Sequence, residues 1–160
     1  MYVPDVNFRP WLNDLVPGAV DANGYIDTQA PNVLAVHTLQ LDLPGAHLPQ
    51  VDLTGIEAFT QLEDLRLSDF SEPVTLTAWP QALRRLDIDV LHQISLPAWP
   101  IGLDYLHLDA QNGMTALPAL PAGLDSLIVR YPEALPLPAL PSGLAYLGLD
   151  GPFTPQSLPP

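Results

Sequence analysis

The chain contains no cysteine. Disulfides, thiolate metal sites and a cysteine nucleophile are therefore excluded. Lysine is absent too, so the basic residues are Arg9, Arg66, Arg84, Arg85 and Arg130. Against 18 acidic residues they leave a net charge of -13. A chain of that sign repels nucleic acid and anionic membrane surfaces, and it favours cations or basic partners. No apolar run reaches the ~18 residues that a membrane-spanning helix requires. The opening "MYVPDVNFRP" lacks a charged segment followed by an apolar one, and we read no secretory leader in it. His37, His47, His92 and His107 are scattered without metal-ligand spacing. No cofactor and no metal are expected.

What is present is repetition. The stretch "LPALPAGLDSLIV" beginning at Leu117 returns as "LPALPSGLAYLGL" at Leu137. Aligned on leucine-x-x-leucine-x-apolar, the first leucines are Leu62, Leu83, Leu103, Leu124 and Leu144, recurring every 20 or 21 residues. The second positions are Leu65, Leu86, Leu106, Leu127 and Leu147, and the third are Leu67, Ile88, Leu108, Val129 and Leu149. Upstream of each unit stands Leu76, Leu96, Leu117 or Leu137, and a looser unit is Val36, Leu39, Leu41. Leu158 opens a further unit, and we expect either more repeats or a sorting domain beyond it, or else a frayed last rung.

The alternation at the end of each unit predicts a short strand with one buried face. The prolines after Leu96, Leu117 and Leu137 fix φ and remove backbone donors, which suits an extended, polyproline-like run. Gly102, Gly123 and Gly143 are expected to permit the turn into the next strand. One unit cannot bury its leucines alone, whereas stacked units can. The expected fold is thus a solenoid with a parallel β-sheet along one side.

The repeats resemble the short bacterial leucine-rich repeats, with their LPxLPxxLxxLxL core. "VDLTGIEAFTQLEDLRLS" (51–68) is similar to the opening unit of secreted leucine-rich repeat proteins of the Bacteroidetes type. "VPDVNFRPWLNDLVPGAVDANGYIDTQ" (3–29) is similar to the helical segment preceding that unit. The resemblance implies a leucine-rich repeat solenoid with its sheet on the concave side. The convex side would be extended, and a helical N-terminal cap would cover the first rung. It implies residues 1–34 as that cap and residues 35–160 as about six rungs of one continuous domain. It also implies a secreted or cell-surface bacterial protein. The asparagine that usually follows each strand is missing. Phe70, Leu91, Gln111, Pro132 and Pro152 occupy its place, with Asn112 the nearest amide.

In the N-terminal segment, Asp5 can cap a helix whose apolar residues are Phe8, Trp11, Leu12 and Leu15, ended by Pro17 and Gly18. In related proteins an EF-hand-like calcium loop often follows. Here "DANGYIDT" (21–28) keeps Asp21 and Asn23 but lacks the third acidic position and a closing glutamate. We read a turn set by Asn23 and Gly24.

The residues between the strand leucines face outward in three columns. These are Thr38, Asp64, Arg85, Tyr105, Ser126, Tyr146; then Gln40, Arg66, Asp87, His107, Ile128, Gly148; then Asp42, Ser68, Asp89, Asp109, Arg130, Asp150. Column neighbours lie ~4.8 Å apart. Arg66 can therefore pair with Asp87, and Asp64 with Arg85. Asp89 beside Asp109 places like charges where one pKa rises or a cation is drawn in. The expected ligand surface is Arg66, Arg85, Asp87, Asp89, Tyr105, His107, Asp109 and Tyr146, because tyrosine and arginine carry most binding energy at interfaces. Trp79 and Trp99, 20 residues apart on the back, take the place of Leu120 and Leu140 and are expected to pack inside. A shallow open sheet does not set two carboxylates apart as hydrolysis needs, and Ser126 has no histidine within reach. The expectation is a non-catalytic, monomeric binding module for a protein or glycan, with no nucleic acid and no membrane insertion. The rivals are a structural spacer in a larger surface protein, or a hydrolase using carboxylates of this face.

Overall fold

A rung of about twenty residues cannot enclose its own leucines, so the chain coils and each rung covers the next. The computed structural model describes residues 1–42, 51–70, 73–90, 94–110, 116–131, 133 and 135–155, and they form a parallel-strand β-solenoid. Its main sheet runs β1 (Thr38–Asp42), β3 (Asp64–Phe70), β5 (Arg85–Val90), β7 (Tyr105–Ala110), β8 (Ser126–Arg130) and β10 (Tyr146–Asp150). Every neighbouring pair is parallel. Leu39, Leu65, Leu86, Leu106, Leu127 and Leu147 stand in one line across the sheet, and Leu41, Leu67, Ile88, Leu108, Val129 and Leu149 in another. Through the first five strands these residues are buried. Leu158, Gln111, Asn112, Leu91, Pro132, His47 and His92 lie outside the described residues.

The proline before each strand closes a turn. The Leu83 amide donates to the Pro80 carbonyl at 3.3 Å, Leu103 to Pro100 at 3.2 Å, Leu124 to Pro121 at 3.1 Å and Leu144 to Pro141 at 3.2 Å. Proline serves there as an acceptor, so its missing N–H costs nothing. The glycines of these turns are not what permits them. Among the described glycines positive φ is confined to Gly18, Gly24, Gly55 and Gly151, and Ala82 stands where Gly102, Gly123 and Gly143 stand in later rungs.

The back of the solenoid is more regular than an extended run. β2 (Val51–Asp52), β4 (Val74–Thr75) and β6 (Ile94–Ser95) form a second parallel sheet, and β9 (Leu135–Leu137) pairs with β11 (Phe153–Pro155) in a third. The core also extends past the third apolar position of each strand, into Phe70, Val90, Ala110 and Tyr131, all buried. One rung departs from the rest. The register shifts between Leu67 and Phe70, so that Phe70 pairs with Val90 and Ser68 leaves the third column. Ser68 is buried, and its hydroxyl donates to Asp42 Oδ1.

The N-terminal segment carries α1 (Phe8–Leu15) and a single turn, α2 (Pro31–Leu34), which begins on proline as helices often do. Asp5 Oδ1 accepts from the amides of Asn7 (2.7 Å) and Phe8 (3.3 Å), and its Oδ2 accepts from the Asp52 amide (3.0 Å). One carboxylate thus starts the helix and ties it to the first rungs. Phe8 and Leu12 are buried and Trp11 is partly so, its ring edge-on to Phe70 at 6.3 Å. Leu15, expected on the same face, is exposed. Gly55, at φ 112, lies where a Cβ would meet Val3 Cγ2 at 2.7 Å. No helix among the described residues is long and apolar enough to cross a membrane.

Candidate functional site

Alternation along each strand sends every second side chain away from the core, and the parallel register lines these up. The first column is Thr38, Asp64, Arg85, Tyr105, Ser126, Tyr146, and the second is Gln40, Arg66, Asp87, His107, Ile128, Gly148. In the third, Asp89 faces Asp109, then Arg130 and Asp150 follow. Asp42 and Ser68 form a separate pair because of the shifted register.

The centre of this face is a connected set. The Arg85 guanidinium lies 3.7 Å from the Tyr105 ring centroid, and its Nε is 3.8 Å from Asp64 Oδ2. The cation is held between a carboxylate and a π face, a geometry that costs a partner little entropy to use. One column over, His107 Nδ1–H donates to Asp87 Oδ1 at 3.0 Å, with both side chains only 19% exposed. His107 Nε2 is buried without a hydrogen-bond partner. The expected pair between Arg66 and Asp87 does not form, because Asp87 turns to His107 instead, and Arg66 is exposed. The imidazole is short and held by its strand, whereas a long arginine side chain loses more freedom on pairing. Beside these groups, Arg130 reaches Asp109 Oδ2 at 3.7 Å, so the Asp89–Asp109 juxtaposition carries a cation on its flank. Among the described residues no cluster of three His, Asp or Glu side chains could hold a metal.

A further outward column lies one residue before the first. It runs His37, Glu63, Arg84, Asp104, Asp125, Ala145, and each carbonyl from His37 to Asp125 accepts two successive amides of the next rung. His37 Nδ1 stands 4.0 Å from Glu63, and Arg84 is 3.5 Å from Asp104. These pairs are exposed and add little stability. The signal was available in the same 20–21 residue period.

On the back, Trp79 and Trp99 are both buried and stack at 5.9 Å with an interplanar angle of 20°. Trp99 Nε1 donates to the Pro118 carbonyl at 3.3 Å, one rung on, while Trp79 Nε1 has no partner. An open groove of about 610 Å³ runs beside them, lined by Trp79, Pro80, Pro97, Pro100 and Ile101, with Ile101 94% exposed.

In the N-terminal turn, Asp21 Oδ1 accepts from the amides of Tyr25 (2.7 Å) and Asn23 (2.9 Å), and Gly24 takes φ 84. The Tyr25 amide above all holds the Asp21 carboxyl below its usual range, against an opposing effect of desolvation and with lesser help from Asn23 and Gly24. The carboxylate is spent on its own turn.

The chain matches no protein-family model, no curated protein and no solved structure.

Proposed function

We propose that this protein is a non-catalytic binding module of the bacterial short leucine-rich repeat type, with a helical N-terminal cap, secreted or displayed at the cell surface. The ligand, a protein or a glycan, docks on the outward face of the six-stranded sheet. The observation that carries this reading is the Arg85–Tyr105 stack beside the Asp87–His107 pair. Arginine and tyrosine are already ordered there, and they bury much area while keeping a polar tip satisfied. Asp89, Asp109 and Arg66 border the stack, and Tyr146 stands two strands away. The acidic balance steers a basic partner, so association weakens as salt rises. Catalysis by Asp87 or Asp109 is disfavoured, since one is bonded to an imidazole and the other is flanked by arginine on an open surface.

The test is capture of partners with the chain and with Arg85→Ala/Tyr105→Ala. Partners lost by that variant at unchanged melting temperature support the reading. A second reading follows from the groove beside Trp79, where Ile101 is presented to solvent. Retention of every partner by the double variant, with loss on Ile101→Asp, transfers the binding face to the back.

A further inference from the structure

We infer that Arg66 is a carboxylate-binding site on the outward face. The segment it recognises is an extended, otherwise basic peptide with one acidic side chain on Arg66 and an apolar side chain four residues further on, over Ile128. The inference rests on the outward face being the ligand surface, and it states what that ligand must carry.

The face pairs its own arginines rung by rung. Arg84 reaches Asp104 at 3.5 Å, Arg85 reaches Asp64 at 3.8 Å, and Arg130 reaches Asp109 at 3.7 Å. Arg9, on the N-terminal segment, donates to the Val3 carbonyl and the Tyr2 hydroxyl. Arg66 alone is exposed with no acceptor among the described residues. Its column neighbours show why. Gln40 Nε2 donates to Asp42 Oδ2 at 2.8 Å, and Asp87 is bonded to His107 at 3.0 Å. The position is interior to the sheet, since β3 lies between β1 and β5.

Arg66 cannot be left out of an interface on this face. It is the column neighbour of Asp87, and it stands two residues along β3 from Asp64, which holds Arg85. A partner that covers the Arg85–Tyr105 stack and the Asp87–His107 pair therefore covers Arg66 too. A guanidinium buried without a partner is strongly unfavourable, so the ligand has to bring an acceptor. A carboxylate matches the planar fork with two parallel hydrogen bonds. Asp64 and Asp87 flank the site, so a run of acids is repelled and cations beside a single carboxylate are favoured. The second anchor is Ile128, the one aliphatic side chain in the first three columns. It stands in the same column three strands from Arg66, roughly 14 Å at the ~4.8 Å spacing of neighbouring strands. An extended peptide rises ~3.3 Å per residue and turns the same side down at every second residue, so the fourth residue beyond the acid reaches Ile128. A peptide is favoured over an acidic glycan because the Tyr105 ring, on which a sugar would stack, already carries the Arg85 guanidinium at 3.7 Å.

The probe is a fluorescein-labelled peptide, GKEKTSLKG, amidated at its C-terminus and titrated with the full chain by anisotropy. It sets one glutamate between lysines and a leucine four residues on. Saturable binding is expected. Replacing the glutamate by glutamine should weaken the peptide about tenfold, although it becomes more basic and the protein is acidic. Moving the leucine one place earlier, in GKEKTLSKG, should weaken it as well. Arg66→Gln should weaken the glutamate peptide about tenfold and leave the glutamine peptide unchanged. Arg84→Gln removes the same charge from an arginine that is already paired, and it should change neither affinity by more than about twofold. Arg66→Glu should reverse the preference, so that GKKKTSLKG binds better than GKEKTSLKG. The inference is overturned by the absence of saturable binding, or by equal affinity for the glutamate and glutamine peptides. Binding kept by Arg66→Gln but lost by Arg85→Ala/Tyr105→Ala would sink the carboxylate site and leave the face standing. Binding kept by both variants would sink the face with it. A galacturonate trimer that binds through Arg66 where the peptide does not would overturn the peptide in favour of an acidic glycan.

Discussion

The two ends of the stack are built from the same leucine spelling and treated differently. At β1, Leu39 and Leu41 are buried, and they share one core with Val3, Phe8, Leu12 and Val33 of the N-terminal segment. At β10, Leu144 and Leu147 are only partly buried and Leu149 is exposed. A repeat's burial is lent by its neighbours, so the identity of a leucine does not decide its energetic weight. Position in the stack does. At the first end Asp5, Phe8 and Trp11 bond to or pack against the rungs, while among the described residues no helix follows β10.

The largest expected effect tests this difference directly. Leu39→Ala and Leu106→Ala should each cost about 2–5 kcal/mol, as deletion of a buried leucine does. Leu147→Ala should cost less than half as much, because its side chain is already partly in water. Chemical denaturation of the three variants makes the measurement. Equal costs at Leu39 and Leu147 would mean that the β10 end is covered in solution, and the asymmetry would vanish.

This asymmetry also shows where sequence reasoning succeeds. The lines of leucines and the columns of Arg85, Tyr105, Asp87 and His107 were legible, because a period of two assigns faces and a period of 20–21 assigns neighbours. Four things were not. The shift after Leu67 inserts a residue that no pattern marks, and Phe70 consequently takes the place opposite Val90 that an unshifted register gives to Asp69. The sheet of β2, β4 and β6 is made of two-residue strands, too short for alternation to register. Phe70, Val90, Ala110 and Tyr131 are buried one step beyond the repeating triplet, and their varied identities hide the position. The choice by Asp87 of His107 over Arg66 was hidden because both are column neighbours at equal spacing. Rotamer length and burial decided between them.

The junction at the closed end offers a second, smaller effect. Gly55→Ala sets a Cβ 2.7 Å from Val3 Cγ2 at φ 112, a region that side chains avoid. We expect a loss of about 1–3 kcal/mol by thermal or chemical unfolding. A neutral result would show that Val3 can withdraw, and that the N-terminal segment is seated on the stack less tightly than its burial implies.

Gly123→Ala and Gly143→Ala should behave in the opposite way. Neither has positive φ, a Cβ there meets nothing within 4 Å, and Ala82 already fills the same turn position. Restricting the unfolded chain should stabilise each variant by about 0.4–1 kcal/mol. Destabilisation at Gly143 alone would indicate that the turn before β10 needs space that the interior turns do not.

The smallest effect separates the N-terminal turn from the stack. Asp21 is exposed, and the Tyr25 amide above all holds its carboxyl below the usual range. A lowered folded value means that the unfolded chain binds this proton more readily. The group therefore adds stability above its unfolded value, near pH 4, and loses that contribution as pH falls through the lower folded value. Asp21→Asn should abolish this acid dependence while leaving an acceptor for the two amides. Acid titration followed by NMR should show the Tyr25 and Asn23 amides moving with Asp21, below the ordinary carboxylate range, while the Leu106 amide stays still. Leu106 moving on the same curve would show that the turn and the stack open together, and that the closed end is one cooperative unit with the rungs rather than a separate element resting on them.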